Sequence, residues 1–284
     1  MGNQTLKRLF RSKFFMIGLV VCTILIILSI ISPWIIYYDP LKTDLQNKLL
    51  PPRWLADGFK GHILGTDSLG RDILARILIG SRYSFFVSFS AVAISASIGI
   101  MLGLFAGYFG GWIDNLIMRI GDVQLSIPNL LLAITVVAIL GPAIQNVILV
   151  MVLTIWVQYA RLIRSSVVIS KSMEYVSASK ILGASKSWIL FRQILPNVLT
   201  PCLVLASQQI GWMIFLEATM SFLGMGVPSP TPSWGTMISL GRNYLYIAPW
   251  VVLVPGIALM ITVLAFNFIG DGVRDAFDPK MRSG

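Results

Sequence analysis

The chain has 284 residues, of which 56% are hydrophobic and 12% are charged, and its mean hydropathy is +0.81. Because soluble domains carry about 25% charged residues, this composition excludes a soluble globular protein and indicates one that crosses a membrane several times. The net charge of +10 is typical of a protein with basic cytoplasmic loops, and without a soluble basic domain we expect no nucleic-acid binding.

Six apolar runs are long enough to cross the hydrocarbon core of a bilayer, which takes about 20 residues. The spans are predicted at residues 14–32, 84–107, 124–140, 146–163, 200–223 and 250–269. No small-residue cleavage site follows the first run, so we expect a retained span rather than a secretory signal. Six spans place both ends on one side, together with 14 of the 22 lysines and arginines. The positive-inside bias therefore predicts an all-α membrane protein with both termini in the cytoplasm.

The first outer segment, between the first and second spans, contains a predicted amphipathic helix. Its apolar residues are Ile73, Leu74, Ile77 and Leu78, opposite Asp72 and Arg76. Oxygens suited to capping precede it, at Thr66, Asp67 and Ser68. We expect this helix to lie in the outer interface and to lead into the second span. His62, the only histidine, has no second ligand nearby, which favours a structural role in the loop over a metal site.

Small and charged residues mark the second span and the turn after it. Glycines recur at steps of four residues, at Gly99, Gly103 and Gly107. Small residues on one helical face let two helices approach closely, so they predict a helix–helix contact. The charged residues that follow either pair with a neighbouring loop or belong to a solvated interfacial turn; they are Asp114, Arg119 and Asp122.

Residues 171–197, which we call the connector, are polar although apolar spans flank them. The charged residues within the connector are Lys171, Glu174, Lys180, Lys186 and Arg192. We expect this segment to lie at the cytoplasmic surface of the membrane. A helix is predicted over residues 174–182, a sharp turn at Gly183, and a second helix over residues 188–195 before Pro196 begins the fifth span.

One ionisable side chain, Glu217, lies inside the apolar run of the fifth span. A carboxylate in hydrocarbon costs at least about 2.5 kcal/mol, so we expect it to face protein or water. One interpretation is a polar contact or gate along a translocation path. The other, which we favour, is an interfacial glutamate bonded to backbone or to Arg242.

The last part of the chain contains a proline-rich outer loop and a charged helix end. In VPSPTPSWG the prolines cannot continue a helix or a central strand, so we predict a stiff loop that caps the bundle, forms an outer gate or provides a docking rim. Gly270 and Gly272 are typical of a helix terminus. Asp271, Arg274 and Asp275 share one face and either cap the helix or contact the connector or its partner.

No catalytic motif accompanies these spans. The sequence contains no H-E-x-x-H zinc motif, no G-x-S-x-G elbow and no carboxylate pair inside the spans. Residues 183–187, GASKS, resemble the end of a nucleotide-binding loop but lack the glycine that must precede the lysine. We therefore expect that the protein is not an enzyme and that transport through it takes its energy from a partner.

The connector resembles a segment of a known family. S-A-S-x-x-x-G over residues 177–183, followed by Leu195 and Pro196, is similar to the EAA loop of ABC importer permeases, whose pattern is E-A-A-x3-G-x9-I-x-L-P. The spacing fits. Three positions depart from the pattern: Ser177 replaces the glutamate, Ser179 the second alanine and Gln193 the isoleucine.

Further motifs narrow the resemblance to the peptide/nickel branch of these permeases, and most closely to the C-type permease of dipeptide and oligopeptide importers. They are HILGTDSLGRD from residue 62, GWIDNLIMRIGD from 111, EYVSASKILGAS from 174, EATMSFLGMGVPSPTPSWG from 217 and AFNFIGDGVRDAFDP from 265. The resemblance implies a type I ABC importer permease fold. Its core would cover residues 84–270 with a coupling loop at 164–199, after an N-terminal region at 1–83 and before a cytoplasmic tail at 271–284.

The same resemblance implies partners and a location. They are a homologous second permease, two cytoplasmic ABC ATPases that hold ATP and Mg, an extracytoplasmic solute-binding protein and membrane lipid. The chain itself would hold no cofactor and would lie in the inner membrane of a prokaryote. Di- or oligopeptides would be the substrates. A permease for nickel, a metallophore or glutathione shares the motifs, and a channel or scaffold that needs no nucleotide is the alternative from another class.

The resemblance also implies which residues couple the chain to an ATPase. Residues 177–184 would form a coupling helix seated in a cleft of the ATPase, where small side chains allow close docking while Glu174 and Lys180 orient it. The coupling residues implied are Glu174, Ser177, Ala178, Ser179, Lys180, Gly183, Ala184, Leu195 and Pro196.

Overall fold

The computed structural model describes residues 9–55, 61–228 and 230–277. Over these ranges the chain is helical, and the only β pairing is an isolated bridge between Thr66 and Asp72, which confirms the all-α prediction. The helices are α1 (Lys13–Ile35), α2 (Ile73–Phe109), α3 (Gly111–Leu125), α4 (Asn129–Leu140), α5 (Ile144–Lys171), α6 (Glu174–Ile181), α7 (Lys186–Phe222), α8 (Trp234–Gly241) and α9 (Trp250–Phe277). Short 3-10 turns lie at Leu45–Asn47 and Arg242–Tyr244.

Five of these helices, α1, α2, α5, α7 and α9, are long and apolar enough to span a bilayer, and α3 and α4 meet at a bend of 90°. α2 and α5 run parallel, because successive glycines of α2 face successive residues of α5: Gly99 faces Tyr159, Gly103 faces Ile163 and Gly107 faces Val167. The chain must therefore return to the opposite end of the bundle between them. α3 and α4 together make this return, and with this pair counted as one span the described residues contain the six candidate crossings that the sequence predicts.

The third crossing differs from the single straight helix predicted over residues 124–140. α3 ends at Leu125 and α4 begins at Asn129, so the predicted helix is broken near its start. Pro128 explains the break, since its ring disfavours helical geometry at the preceding residue and its nitrogen donates no hydrogen bond. α4 has 12 residues and is too short to cross the hydrocarbon core alone.

The second crossing begins earlier than predicted, because the helix expected in the outer interface is the first part of α2. Asp72 caps it, with Oδ1 accepting from the backbone N–H of Ala75 at 2.7 Å. The predicted helix thus leads into the second crossing as expected. Its position in the outer interface is wrong, because Ile73 and Ile77 are buried in the bundle. α2 also runs without interruption past residues 83 and 84.

The fifth crossing begins within the connector, and the predicted second connector helix is its first part. α7 runs continuously from Lys186 to Phe222 and contains a π-helical stretch at Ile189–Ile194. In this wide stretch the N–H of Leu195 donates to the carbonyl of Leu190. Because a π-helical turn is wider than an α-helical one, the chain passes Pro196 without ending the helix, as it does past proline at other locally adjusted turns.

α2 and α5 pack against each other along most of their shared length. A Cβ added at Gly103 would lie 2.9 Å from the Cβ of Ile163, and one at Gly107 would lie 2.8 Å from the carbonyl oxygen of Arg164. There is no space for a side chain at these positions, which confirms the predicted helix–helix contact. We call this contact the glycine seam; the larger apolar core surrounds it and extends to α4, α6 and α7.

α1 and α9 pack antiparallel beside this core. A Cβ at Gly18 would lie 2.6 Å from the carbonyl oxygen of Ala265, and one at Gly272 would lie 2.7 Å from the Cβ of Phe15. Gly270 and Gly272 are therefore contact points inside α9, and the predicted helix terminus is wrong, since α9 continues to Phe277. The first residues of α1 and the last residues of α9 lie at the same end of the bundle.

Candidate functional site

The connector lies at the end of the bundle where α2 and α5 terminate. Lys171, the last residue of α5, donates its Nζ to the carbonyl oxygen of Tyr108 at 2.5 Å. α6 follows almost at once and confirms the helix predicted over residues 174–182. Gly183 then adopts a φ of 78°, a left-handed conformation that favours glycine, so the predicted turn is also confirmed. Ser185 caps α7, its Oγ accepting from the N–H of Trp188 at 3.2 Å.

α6 is attached to the bundle by one apolar side chain and two pairs of polar ones. Val176 is 0% exposed and belongs to the larger apolar core. Gln193 Nε2 donates to Ser179 Oγ at 2.5 Å, and Asn197 Nδ2 donates to the hydroxyl oxygen of Tyr175 at 3.1 Å. We call these four polar side chains the α6–α7 clip. A helix of 8 residues does not persist alone in water, so these contacts set the orientation of α6.

The other face of α6 is open. Its exposed side chains include Glu174, Ser177, Ala178 and Lys180. At its C-terminal end Ile181 and Leu182 are each 86% exposed, and a Cβ at Gly183 would meet nothing within 4 Å. Burying two such aliphatic side chains is worth roughly 1.5–3 kcal/mol each, so contact with another molecule at this end of α6 is favourable.

The coupling residues implied by the resemblance therefore fall into separate groups. Ser177, Ala178 and Gly183 lie on the open side of the connector. Ser179 faces α7 through its bond to Gln193. Leu195 and Ala184 pack against the apolar core, and Pro196 lies on α7 itself. In the described part of the chain neither Glu174 nor Lys180 forms an ion pair.

Two ion pairs brace α3 against α5 beside the connector. Both oxygens of Asp114 accept from the guanidinium of Arg164, one of them from Nη2 at 2.5 Å. Asp122 Oδ1 accepts from Nη2 of Arg161 at 2.6 Å. The two aspartates thus pair with a neighbouring helix rather than with a loop. Arg119 is exposed on the same helix, as expected for a solvated turn.

Glu217 lies fully inside the bundle, with 0% of its surface exposed. Its two carboxyl oxygens accept from the hydroxyls of Ser84 on α2 and Ser221 on α7, each at 2.7 Å. Arg242 does not reach it and lies instead 6.0 Å from the ring centre of Phe222. The interpretation as an interfacial glutamate bonded to backbone or Arg242 is therefore wrong. Glu217 ties α7 to α2 near their outer ends, and a role in a translocation path stays a prediction.

The outer segment is held by a compact set of charged side chains that the sequence did not single out as a cluster. Asp67 Oδ2 accepts from Arg71 Nε at 2.7 Å and lies 3.6 Å from Arg76 Nε. Arg76 is only 2% exposed, so it does not occupy the polar face predicted for it. His62 Nδ1 lies 2.7 Å from Asp72 Oδ2, which agrees with the predicted structural role of His62.

The proline-rich loop leads into α8, which covers the outer end of the bundle. Ser233 caps α8 by accepting from the N–H of Thr236 at 3.3 Å. Trp234 is buried and donates its indole N–H to the carbonyl oxygen of Ile77 at 3.2 Å. Between this loop, α8 and the start of α2 lies a cavity of about 300 Å³ that includes Arg71 and Arg76 in its lining. The capping prediction is thus confirmed, while the gate and docking interpretations stay predictions.

The charged residues near the end of α9 lie close to the connector end of the bundle. Asp271, Arg274 and Asp275 are exposed on its last turns. Arg274 lines a cavity of about 380 Å³ together with Thr200 and Pro201 of α7. α9 therefore approaches the first turns of the fifth crossing, just beyond the connector. Within residues 9–55, 61–228 and 230–277 no group of three or more His, Cys, Asp or Glu side chains could hold a metal ion.

The α6–α7 clip is the feature that reasoning from the sequence missed. Tyr175 and Asn197 carry no pattern that separates them from other polar residues. Ser179 and Gln193 stood out only as departures from the family pattern. Ser179 and Gln193 each replace an apolar residue of the family pattern with a polar one. They lie 14 positions apart on the two arms of a predicted hairpin, and this pairing could have indicated the contact.

Family models and known relatives match nearly the whole chain. The model described as "Binding-protein-dependent transport system inner membrane component" matches residues 99–283. The model described as "N-terminal TM domain of oligopeptide transport permease C" matches residues 1–52. The chain is 43% identical to the dipeptide transport system permease protein DppC of Haemophilus influenzae, over 94% of this chain and 90% of that protein.

Other relatives and a solved structure agree with these matches. The chain is 44% identical to the dipeptide permease DppC of Escherichia coli K12, over 96% of this chain and 91% of the relative. It is 41% identical to the di/tripeptide permease DppC of Pseudomonas aeruginosa, over 94% and 88%. The inward-facing MetNI methionine ABC transporter is similar in fold, with a TM-score of 0.56 at 20% identity over 72% of this chain and 97% of that chain.

Proposed function

The chain belongs to the family of binding-protein-dependent transport system inner membrane components, and from this membership we propose that it carries di- and oligopeptides as a permease subunit of an ATP-driven importer. The named substrates of its relatives are dipeptides and tripeptides, and the similarity covers nearly the whole chain. The chain supplies half of the translocation path, and a homologous second permease supplies the other half.

The open end of α6 is the observation that carries the coupling part of the proposal. It presents small side chains, a left-handed glycine and two exposed aliphatic residues, Ile181 and Leu182, on a short helix between two membrane crossings. A cleft in a partner ATPase that received this end would bury apolar surface. Two such ATPases, one for each permease, hold ATP and Mg.

The connector end of the bundle faces the cytoplasm in this proposal, with both termini beside it. The support is the number of basic residues, since 14 of the 22 lysines and arginines fall in the segments that the sequence assigns to this side of the membrane. The proline-rich loop and α8 then face the opposite side, where a solute-binding protein delivers the peptide. Lipid and the second permease cover the apolar side chains that α1 and α4 leave exposed.

The transport cycle follows from these positions. Closure of the ATPases around ATP displaces α6, and the displacement moves the attached helices so that the path opens towards the binding protein. Hydrolysis returns α6 and opens the path inward. No residue of this chain takes part in the hydrolysis of ATP, because the chain contributes only the translocation path and the contact with the ATPases.

Substitution at Gly183 tests the coupling proposal. Gly183→Arg should abolish peptide uptake while the chain still inserts in the membrane, because a long side chain would fill the space into which α6 docks. Gly183→Asn should retain part of the uptake, since asparagine tolerates the left-handed conformation and is short. Gly141→Arg is the matched control, because Gly141 has a φ of 82° and equally open surroundings but lies at the other end of the bundle.

Uptake by the complex reconstituted in vesicles with its binding protein is the measurement. Unimpaired uptake by Gly183→Arg would contradict the docking of α6. Uptake of nickel, a metallophore or glutathione without uptake of peptides would contradict the substrate class. Conduction by the purified chain without nucleotide would replace the importer with a channel.

A further inference from the structure

The α6–α7 clip is a directed chain of hydrogen bonds. Ser179 Oγ–H donates to the carbonyl oxygen of Tyr175 at 2.9 Å, so a lone pair of the hydroxyl is left to accept from Gln193 Nε2 at 2.5 Å. Asn197 Nδ2 donates both to the hydroxyl of Tyr175 and to the carbonyl oxygen of Gln193, at 3.1 and 2.9 Å. Each member therefore orients the next, and α6 is held to α7 at two points along its length.

Gln193 is the member of the clip with the fewest alternative hydrogen-bond partners. Its Oε1 is buried without a hydrogen-bond partner among the described residues, so Nε2 carries the polar contact of this side chain. It lies in the π-helical stretch Ile189–Ile194, and such stretches recur at functional positions in helices. Loss of this contact would leave both polar atoms of the amide without a partner in the described part of the chain, which makes the bond to Ser179 sensitive to substitution.

The clip directs movement of α6 towards α7. The described side-chain hydrogen bonds between α6 and a membrane crossing all go to α7. On the α5 side α6 is joined through a backbone turn, in which Met173 N–H donates to the carbonyl of Ser170 at 3.2 Å. At its far end α7 is bonded to α2 through Glu217 and Ser84. A displacement of α6 that pulls on the clip is therefore passed to α7, which is bonded to α2 near its outer end.

We propose that Ser179 and Gln193 are positioning residues that fasten the coupling helix to α7, so that the movement of the ATPases is delivered to the path through α7. This inference rests on the proposed docking of α6. Neither side chain touches nucleotide or peptide. Both act by preventing α6 from tilting on its own when its open face is pushed.

The ratio of ATP hydrolysed to peptide transported tests this inference in the reconstituted complex. Ser179→Ala should raise the ratio roughly fivefold, because it removes the hydroxyl that accepts from the amide of Gln193. Gln193→Ile should raise it less, because Ser179 keeps its bond to Tyr175. The double variant Ser179→Ala/Gln193→Ile should return to within about twofold of the unchanged protein, because replacing both partners with apolar groups leaves no orphaned polar atom.

A matched control separates the clip from a general loss of structure. Ser170→Ala removes a hydroxyl that donates to the carbonyl four residues back at 2.9 Å, as Ser179 does, but Ser170 has no partner on α7. The ratio of ATP hydrolysed to peptide transported should stay unchanged in Ser170→Ala. A purely structural role of Ser179 would lower the amount of assembled complex and leave the ratio in the assembled fraction unaltered, which would overturn the inference. A double variant as uncoupled as Ser179→Ala would also overturn it.

Cross-linking separates failure of this inference from failure of the proposed function. Lys180→Cys should form a cross-link to the ATPase both in the otherwise unchanged protein and in Ser179→Ala, because the open face of α6 is intact in both. Absence of the cross-link in both would refute the docking of α6. A cross-link in both with equal ratios would refute the clip alone.

Discussion

The glycine seam and the α6–α7 clip join pairs of helices by opposite means. In the seam the backbones of α2 and α5 approach so closely that no side chain fits at Gly99, Gly103 or Gly107. In the clip four polar side chains bridge α6 and α7 near the surface. Two helices whose backbones are in close contact cannot shift against each other without losing that contact, whereas side-chain hydrogen bonds break and form again. In the proposal made above, the seam fixes the fold and the clip transmits movement within it.

The largest expected effect is at the seam. Gly103→Ala should lower the free energy of unfolding by about 2–3 kcal/mol, because a Cβ there overlaps Ala160 and lies 2.9 Å from Ile163. Gly256→Ala on α9, where a Cβ meets nothing within 4 Å, should raise it by up to about 1 kcal/mol through helix propensity. Denaturant unfolding of the detergent-solubilised chain measures both. Equal shifts in the two variants would show that space at the seam is not the cause.

A smaller effect is expected at Glu217, which links α7 to α2. α2 is one of the two helices of the seam, and α7 is one of the two helices of the clip. Glu217→Ala should cost about 2 kcal/mol, because it leaves the hydroxyls of Ser84 and Ser221 without their acceptor inside the bundle. Glu217→Gln keeps an acceptor and should cost less than half as much. Thermal unfolding of both variants checks this order. A larger loss of stability in Glu217→Gln than in Glu217→Ala would contradict the hydrogen bonds described for Glu217.

The ion pairs between α3 and α5 should have still smaller effects, graded by exposure. Asp114→Asn should cost about 1 kcal/mol, because Asp114 is largely buried and accepts two bonds from Arg164. Asp122→Asn should cost less than about 0.5 kcal/mol, because both members of its pair are about half exposed. Unfolding at low and high salt distinguishes them. Only the second pair should lose its contribution as salt rises.

The smallest effect on stability is expected within the clip. Tyr175→Phe removes one exposed hydroxyl, while Asn197 keeps its bond to the carbonyl of Gln193 at 2.9 Å. The free energy of unfolding should change by less than about 0.5 kcal/mol. A loss comparable to that of Gly103→Ala would place the clip among the contacts that fix the fold and would remove the contrast with the seam.

The features that the sequence predicts correctly depend on neighbours along the chain. The connector helix and its turn follow from Gly183, and the seam follows from glycines spaced four apart on one face. The sequence predicts the starts of α2 and α7 too late, because polar residues and proline are typical of helix boundaries. Burial of Ile73 and the wide turn before Pro196 extend both helices past those residues.

The features that the sequence does not predict depend on contacts between distant residues. Glu217 and Ser84 are 133 positions apart, and nothing in either segment indicates the other. The cluster of Asp67, Arg71 and Arg76 combines a predicted capping residue, a residue predicted on a polar helical face and Arg71, for which the sequence predicts no role. The periodicity of a sequence shows which face of a helix is apolar. It does not show which two buried polar side chains form a hydrogen bond or an ion pair with each other.

The parallel course of α2 and α5 also determines when the core is completed during synthesis. Neighbouring crossings are antiparallel and are made one after the other, but the seam joins two crossings that the bent α3–α4 pair separates. The contact of Gly107 with Val167 exists only after α5 has been translated and inserted in the same direction as α2. A nascent chain whose third crossing fails to insert would deliver α5 in the reverse direction, with its residues out of register with the glycines.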